Sequence, residues 1–290
     1  MADRVGGINQ RLLQILDAGA FKAEPLAEAM KYSVFAGGKR LRPLLLLAAC
    51  ESVSGAYDET ALDFACAAEL IHTYSLIHDD LPCMDDDDLR RGQPTCHIKY
   101  GEALALLAGD ALLNKAYEVM AGACVNDPRN GNCARALSFI ANAAGAEGMV
   151  SGQVLDILNE SGAADTGALT RMYELKTGAL IQACFAAGAV LGGGDSQTEK
   201  EMNALGATLG LAFQIKDDIL DVTATTEKLG KPARSDEKNQ KTTYVSLLGV
   251  EGARDEYRRL SDKTVEVVAR IPFKTDTLQS LVFKIIHRDF

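Results

Sequence analysis

Two aspartate-rich stretches limit what this chain can fold into. One is Asp79-Asp80-Leu-Pro-Cys-Met-Asp85-Asp86-Asp87-Asp88-Leu-Arg90-Arg91-Gly92; the other, far downstream, is Asp217-Asp218-Ile-Leu-Asp221. Each opens with an Asp-Asp pair at the end of an apolar, helix-like run. Carboxylates this close repel one another, and they are costly to hold together unless cations neutralise them. Two such clusters imply a shared load of hard metal ions. Arg90 and Arg91 follow the first cluster directly and add anion-binding charge. Carboxylates, Mg²⁺ and arginines together are what a diphosphate requires.

The apolar runs between the clusters are rich in Ala and Leu and poor in β-branched stretches, which favours helix over sheet. The spacing predicts helices over Leu44–Ser52, Asp58–Asp80, Gly101–Ala121, Ala134–Leu158, Thr166–Ala187, Ser196–Val222, Thr242–Ala269 and Thr275–His287. Pro43 suits a first helical turn. Thr225–Gln240 is polar, holds Gly230 and Pro232, and reads as a loop. Neither a composition shift nor a linker divides the chain, so the expectation is one all-α domain over residues 1–290. Several helices look apolar nearly all round, which predicts a central one and surplus apolar surface for a subunit interface.

Apolar residues make up 47% of the 290, enough for a sizeable core, and the net charge of −10 argues against a nucleic-acid binder. No apolar run reaches about 18 residues, so no membrane span is expected. Seven cysteines, odd in number and without a Cys-x-x-Cys pair, read as reduced core thiols of a cytoplasmic protein. The first residues, Met-Ala-Asp-Arg-Val-Gly-Gly, lack the apolar segment of a secretory signal.

On a helix, Gln214, Asp217 and Asp221 make one stripe with Asp218 beside it. The surrounding Leu209, Leu211, Phe213, Ile215, Ile219 and Leu220 make a cavity lining a better reading than a solvated face. Asp79 and Asp85 would fall on different faces of a straight helix, but Pro82 makes a straight helix untenable and a bend could bring both to the same ions. An EF-hand loop needs a sixth-position Gly and a twelfth-position Glu, and no frame supplies them. In Gly37-Gly38-Lys39-Arg40-Leu41-Arg42-Pro43, the glycines allow a tight turn, and Lys39 and Arg42 offer a point charge and a planar fork for phosphate. His72 lies two turns before Asp79. A lone histidine there is more often a core residue, yet its place near the acidic end turns it toward a diphosphate. Lys176-Thr177-Gly178 interrupts a helical pattern with a lysine that needs an anion and a glycine that suggests a kink. Lys231 stands in the polar loop, either closing over a phosphate or solvated. Tyr74 lies about 7–8 Å down the helix from Asp79 at ~1.5 Å per residue, with the small Ser75 beside it.

Together these stretches resemble the short-chain trans-isoprenyl diphosphate synthases, most closely the bacterial type of farnesyl diphosphate synthase. Gly152-Gln-Val-Leu-Asp156, Ala108-Gly-Asp-Ala-Leu112, Pro94-Thr-Cys-His97 and Lys241-Thr-Thr-Tyr244 add to the match, which spans about residues 30 to 250. The four-residue insert between Asp80 and Asp85 is similar to the bacterial and plant form. The resemblance implies an isoprenoid synthase fold, an all-α bundle around a deep central cavity, in a cytoplasmic homodimer. It implies that Asp79, Asp85 and Asp217 hold three Mg²⁺ ions, with Mn²⁺ as a substitute and Asp80, Asp218 and Asp221 in support. Arg90, Lys176 and Lys231 would bind the allylic diphosphate; Lys39, Arg42, His72 and Arg91 would bind isopentenyl diphosphate. Thr177 and Gln214 would lie along the allylic chain, and Tyr74 and Ser75 would set its length near fifteen carbons. Geranyl or geranylgeranyl synthases of the same family, a terpene cyclase and a non-catalytic subunit are the alternatives. The second anion site argues against a cyclase, and the full set of motif aspartates against a non-catalytic chain.

Overall fold

Alanine- and leucine-rich runs close into helices along most of the described chain. The computed structural model describes residues 2–17, 22–127, 130–159, 165–223, 241–271 and 275–287. The helices are α1 (Ala2–Asp17), α2 (Glu24–Phe35), α3 (Leu41–Ser54), α4 (Glu59–Asp79), α5 (Cys96–Tyr100), α6 (Glu102–Asn126), α7 (Asn130–Ala144), α8 (Met149–Asn159), α9 (Thr166–Tyr173), α10 (Ala179–Leu191), α11 (Ser196–Thr223), α12 (Tyr244–Arg270) and α13 (Asp276–Ile286). A π-helical turn, Glu174–Gly178, joins α9 to α10. The two-residue strands β1 (Leu89–Arg90) and β2 (Gln93–Pro94) pair antiparallel.

Local chemistry explains most boundaries. Asp58 caps α4 by accepting from Ala61 N, and Thr243 and Ser246 form a reciprocal cap on α12. Pro25 opens α2, and Pro43 sits in the first turn of α3, where a missing N–H costs nothing. Helix α12 breaks at Gly249, which adopts φ 71°.

One expectation needs correction, and two further features stand beside it. Ala134–Leu158 is not one helix: the chain turns at residues 145–148 and starts again as α8, so the apolar pattern ran across two elements. Helices α1 and α2, and the small hairpin, were not read from the sequence at all. Finally, Thr166–Leu191 is long and apolar enough to cross a membrane by length and composition, with 67% of its most apolar window buried inside the protein. Its second half, α10, packs on α3, α7 and α11 and is buried from Ala183 to Leu191. Its greasiness is therefore that of a central helix.

The main core gathers residues of α1, α3, α4, α6, α7, α10 and α13. Each fully buried Leu or Ile there contributes about 1.5–3 kcal/mol by leaving water. One charged cluster is set into this core. Arg40, in left-handed backbone (φ 50°) and only 4% exposed, donates to Asn9 Oδ1 (2.8 Å), Glu69 Oε1 (2.8 Å) and Val34 O (2.7 Å). It thereby ties the turn before α3 to α1, α2 and α4. Arg40→Ala would strand a buried Glu69 carboxylate, and the expected cost is about 3–5 kcal/mol in urea unfolding. An unchanged midpoint would contradict this role.

Candidate active site

Helix α4 ends at Asp79, and the chain then folds back on itself. Asp80 N donates to Leu76 O, Leu81 N to His78 O, Met84 N to Leu81 O, and Asp85 N to Asp79 O (2.9 Å). Pro82 cannot continue the helix, so the turn returns Asp85 beside Asp79. This is the bend the sequence called for. On the opposite wall, α11 presents Asp217 with Gln214 and Phe213. Both walls face one cavity of about 710 Å³. Arg42, His72, Arg90, Arg91, Lys176 and Lys241 also line it, as do Tyr74, Ser75 and His78 of α4 and the apolar Met149, Val150, Val154 and Ile157 of α8. One part of the cavity is thus densely charged and another is hydrocarbon.

Charge sets the behaviour of the polar part. Burial, with Asp85 and Asp80 nearby, pushes the Asp79 carboxyl above its usual range. Asp85 is met by Lys241 Nζ at 2.8 Å. Burial, reinforced by Arg42, Arg91, Arg90 and Arg40, holds His72 well below its ordinary value, so it is a neutral imidazole. Burial also lowers Arg42, whose Nε is enclosed without a hydrogen-bond partner among the described residues. Because Arg42 also lines the cavity, its guanidinium suits an anion bound there. Arg91 lies over the Gly37-Gly38 turn and donates to Gly37 O. A Cβ at Gly38 would meet Arg91 Nη1 at 2.7 Å, so the glycine makes room for it.

The acidic groups suit a hard divalent cation. Asp79, Asp85 and Asp217 offer carboxylate oxygens around one space. Among the described residues, no three His, Cys, Asp or Glu side chains converge on a single ion position. A cation here would take one or two carboxylates from the protein and further oxygens from a bound anion, a pattern typical of Mg²⁺ with phosphates.

Other expected site residues stand elsewhere. Asp80 is 3% exposed and turned into Arg90, whose Nε reaches Oδ1 and Oδ2 at 2.8 and 2.9 Å; it braces the arginine and does not line the cavity. Asp218 is buried, accepting from Tyr173 OH (2.8 Å) and Tyr244 N (2.9 Å), which pins α12 to α9. Asp221 is buried at 2% exposure and is also absent from the lining. The expected stripe therefore reaches the large cavity only through Gln214 and Asp217. Lys39 is exposed on its turn, outside the lining. Lys231, and the loop expected over 225–240, lie outside the described residues. Lys176 and Thr177 fall in the π-helical turn, where the sequence anticipated an interruption. Thr177 Oγ1 donates to Gln214 Oε1 at 3.0 Å, joining two walls. Sequence reasoning gave no role to Arg40 or Asp156; the latter accepts from Lys176 Nζ at 2.6 Å.

Residues 23–272 match the polyprenyl synthetase family. The chain belongs to that family. A farnesyl diphosphate synthase of Geobacillus stearothermophilus is 48% identical over 232 residues, covering 79% of this chain and 77% of that protein. The chloroplastic large subunit 1 of a heterodimeric geranylgeranyl pyrophosphate synthase of Arabidopsis thaliana is 47% identical over 252 residues, covering 85% and 68%. A geranyltransferase of Helicobacter pylori, solved with magnesium and isoprenyl diphosphate, superposes with a TM-score of 0.84 at 32% identity over 96% of this chain and 95% of that one. The all-α isoprenyl diphosphate synthase fold is therefore shown, and this polyprenyl synthetase is a short-chain prenyltransferase.

Asp79 and Asp218, one from each acidic motif, should behave oppositely in metal-free unfolding. Asp218→Ala removes hydrogen bonds to a charged acceptor and should cost about 1.5–3 kcal/mol. Asp79→Ala removes a buried, under-compensated charge, so stability should hold or rise. Equal losses in both variants would show that Asp79 is a structural residue too.

Proposed function

We propose that this polyprenyl synthetase makes farnesyl diphosphate, condensing isopentenyl diphosphate first with dimethylallyl and then with geranyl diphosphate. The observation that carries the reading is the joining of two distant acidic motifs around one cavity whose other part is apolar. Asp79, Asp85 and Asp217 would hold three Mg²⁺ ions, with Mn²⁺ as a substitute; the family and the magnesium-bound relative support this metal. When bound, Mg²⁺ supplies positive charge to a leaving diphosphate.

The chain's own residues do the rest. Arg90 and Lys176, with Lys231, bind the allylic diphosphate. Arg42, which lines the cavity, offers its guanidinium to isopentenyl diphosphate, with Arg91 and Lys39 adding charge and the neutral His72 a hydrogen bond. Asp80 keeps Arg90 in place, and Asp218 keeps α12 in place behind the acidic helix. The Thr177–Gln214 pair turns oxygen dipoles toward the allylic carbons as positive charge develops there. No side chain need act as a strong base, because the released diphosphate can take the proton. The 290 residues act as one catalytic unit, as a homodimer in the cytoplasm. Exposed Ile98, Leu106 and Leu107 supply apolar surface for the dimer, and seven thiols without a disulfide support a reducing compartment.

Tyr74 supports a fifteen-carbon product. It is 7% exposed, lines the cavity, and burial pushes its phenol up to about 12, so it presents a neutral ring to a hydrocarbon tail. Incubation with both five-carbon diphosphates and Mg²⁺ should give mainly farnesyl diphosphate, and EDTA should abolish it. Tyr74→Ala should shift products to twenty carbons or longer, and Ser75→Phe should shorten them to ten. Twenty-carbon product from the wild type would instead place the chain with its geranylgeranyl relatives.

A further inference from the structure

Helix α8 meets the π-helical turn backbone to backbone. A Cβ at Gly152 would lie 2.2 Å from Lys176 N and 2.5 Å from Lys176 Cα, so no residue but glycine admits this approach. One helical turn further on, Asp156 projects from the same face of α8. Its Oδ2 accepts from Lys176 Nζ at 2.6 Å and lies 3.8 Å from Lys241 Nζ, which donates to Asp85. Lys176, Asp156, Lys241 and Asp85 thus alternate in sign along one line of contacts. The line joins the π-helical turn, α8, the segment before α12 and the acidic turn. The Asp156 side chain is 10% exposed, against 23% for Lys176, so the carboxylate is the anchored partner and the ammonium the one open to the cavity.

A lysine ammonium sits on a flexible four-carbon stem, and binding an anion means giving up that freedom. An ammonium already held at one point gives up less. We propose that Asp156 is a positioning residue for the transfer reaction, acting through Lys176 to preset the ammonium that takes the allylic diphosphate. This rests on the assignment of Lys176 made under the proposed function. Gly152 brings the two backbones together, and Asp156 uses that closeness to fix the side chain.

The test is a double-mutant cycle on the full chain, with Lys176→Ala, Asp156→Ala and the double variant, plus Asp156→Asn to keep the packing. Michaelis constants are measured for each substrate, and binding of inorganic pyrophosphate with Mg²⁺ is measured by calorimetry. Asp156→Ala should raise the allylic KM and weaken pyrophosphate by about tenfold while leaving the KM for isopentenyl diphosphate within about twofold. Asp156→Asn should act in the same direction. The double variant should be no worse than Lys176→Ala alone, because coupled residues are not additive. A general packing defect would raise both KM values together and would overturn the proposal. So would an allylic KM that stays level or falls in Asp156→Asn while Lys176→Ala raises it, since the carboxylate would then merely repel the diphosphate. An unchanged allylic KM in Lys176→Ala would overturn the assignment of Lys176 and the role of Asp156 together.

Discussion

Repulsion among carboxylates brought into one partly buried space is the constraint on which this structure turns. Two unit charges 4 Å apart interact by about 4 kcal/mol at an effective dielectric near 20, a large part of the few kcal/mol by which a folded chain is stable. The chain answers with cations drawn from other segments. Lys241 meets Asp85, Lys176 meets Asp156, and Arg90 closes on Asp80. Asp79 is not fully compensated: burial, with Asp85 and Asp80 nearby, pushes its carboxyl up despite Lys176 and Arg90.

That imbalance connects fold to function. Helices apolar on most sides surround the cavity and bury enough surface to tolerate charge within it. The π-helical turn and the backfolded acidic turn break regular helix where cavity-facing lysine and aspartate are needed. The same internal ion pairs that offset part of the acidic walls' charge hold Lys176 and Arg90 at the cavity, where an arriving diphosphate meets them.

Much of this was legible in the sequence because charge spacing survives without coordinates. Pro82 announced the bend that returns Asp85 to Asp79, and Lys176-Thr177-Gly178 announced the interrupted helix. What escaped reading depends on contacts across the fold. Spacing alone could not tell that Asp218 points to Tyr173 and the start of α12 while Asp217, one residue earlier, lines the cavity. Arg40 looked like one more basic residue of a phosphate turn, but its partners Asn9, Val34 and Glu69 come from three helices. Asp156 carried a faint signal, a carboxylate one turn after a glycine, which gains meaning only when Lys176 is found against both. The break between α7 and α8 was hidden because apolar residues continue on either side of it.

The most direct test of the account is the thermal midpoint of the metal-free protein with Mg²⁺ alone, pyrophosphate alone, and both. Among the described residues the acidic groups do not converge on an ion by themselves, and Lys241 already meets Asp85. The account predicts that Mg²⁺ and pyrophosphate together raise the midpoint on the order of 5 °C near saturation, while either one alone shifts it little. A full shift with Mg²⁺ alone would contradict it, because the carboxylates would then form a metal site without the anion.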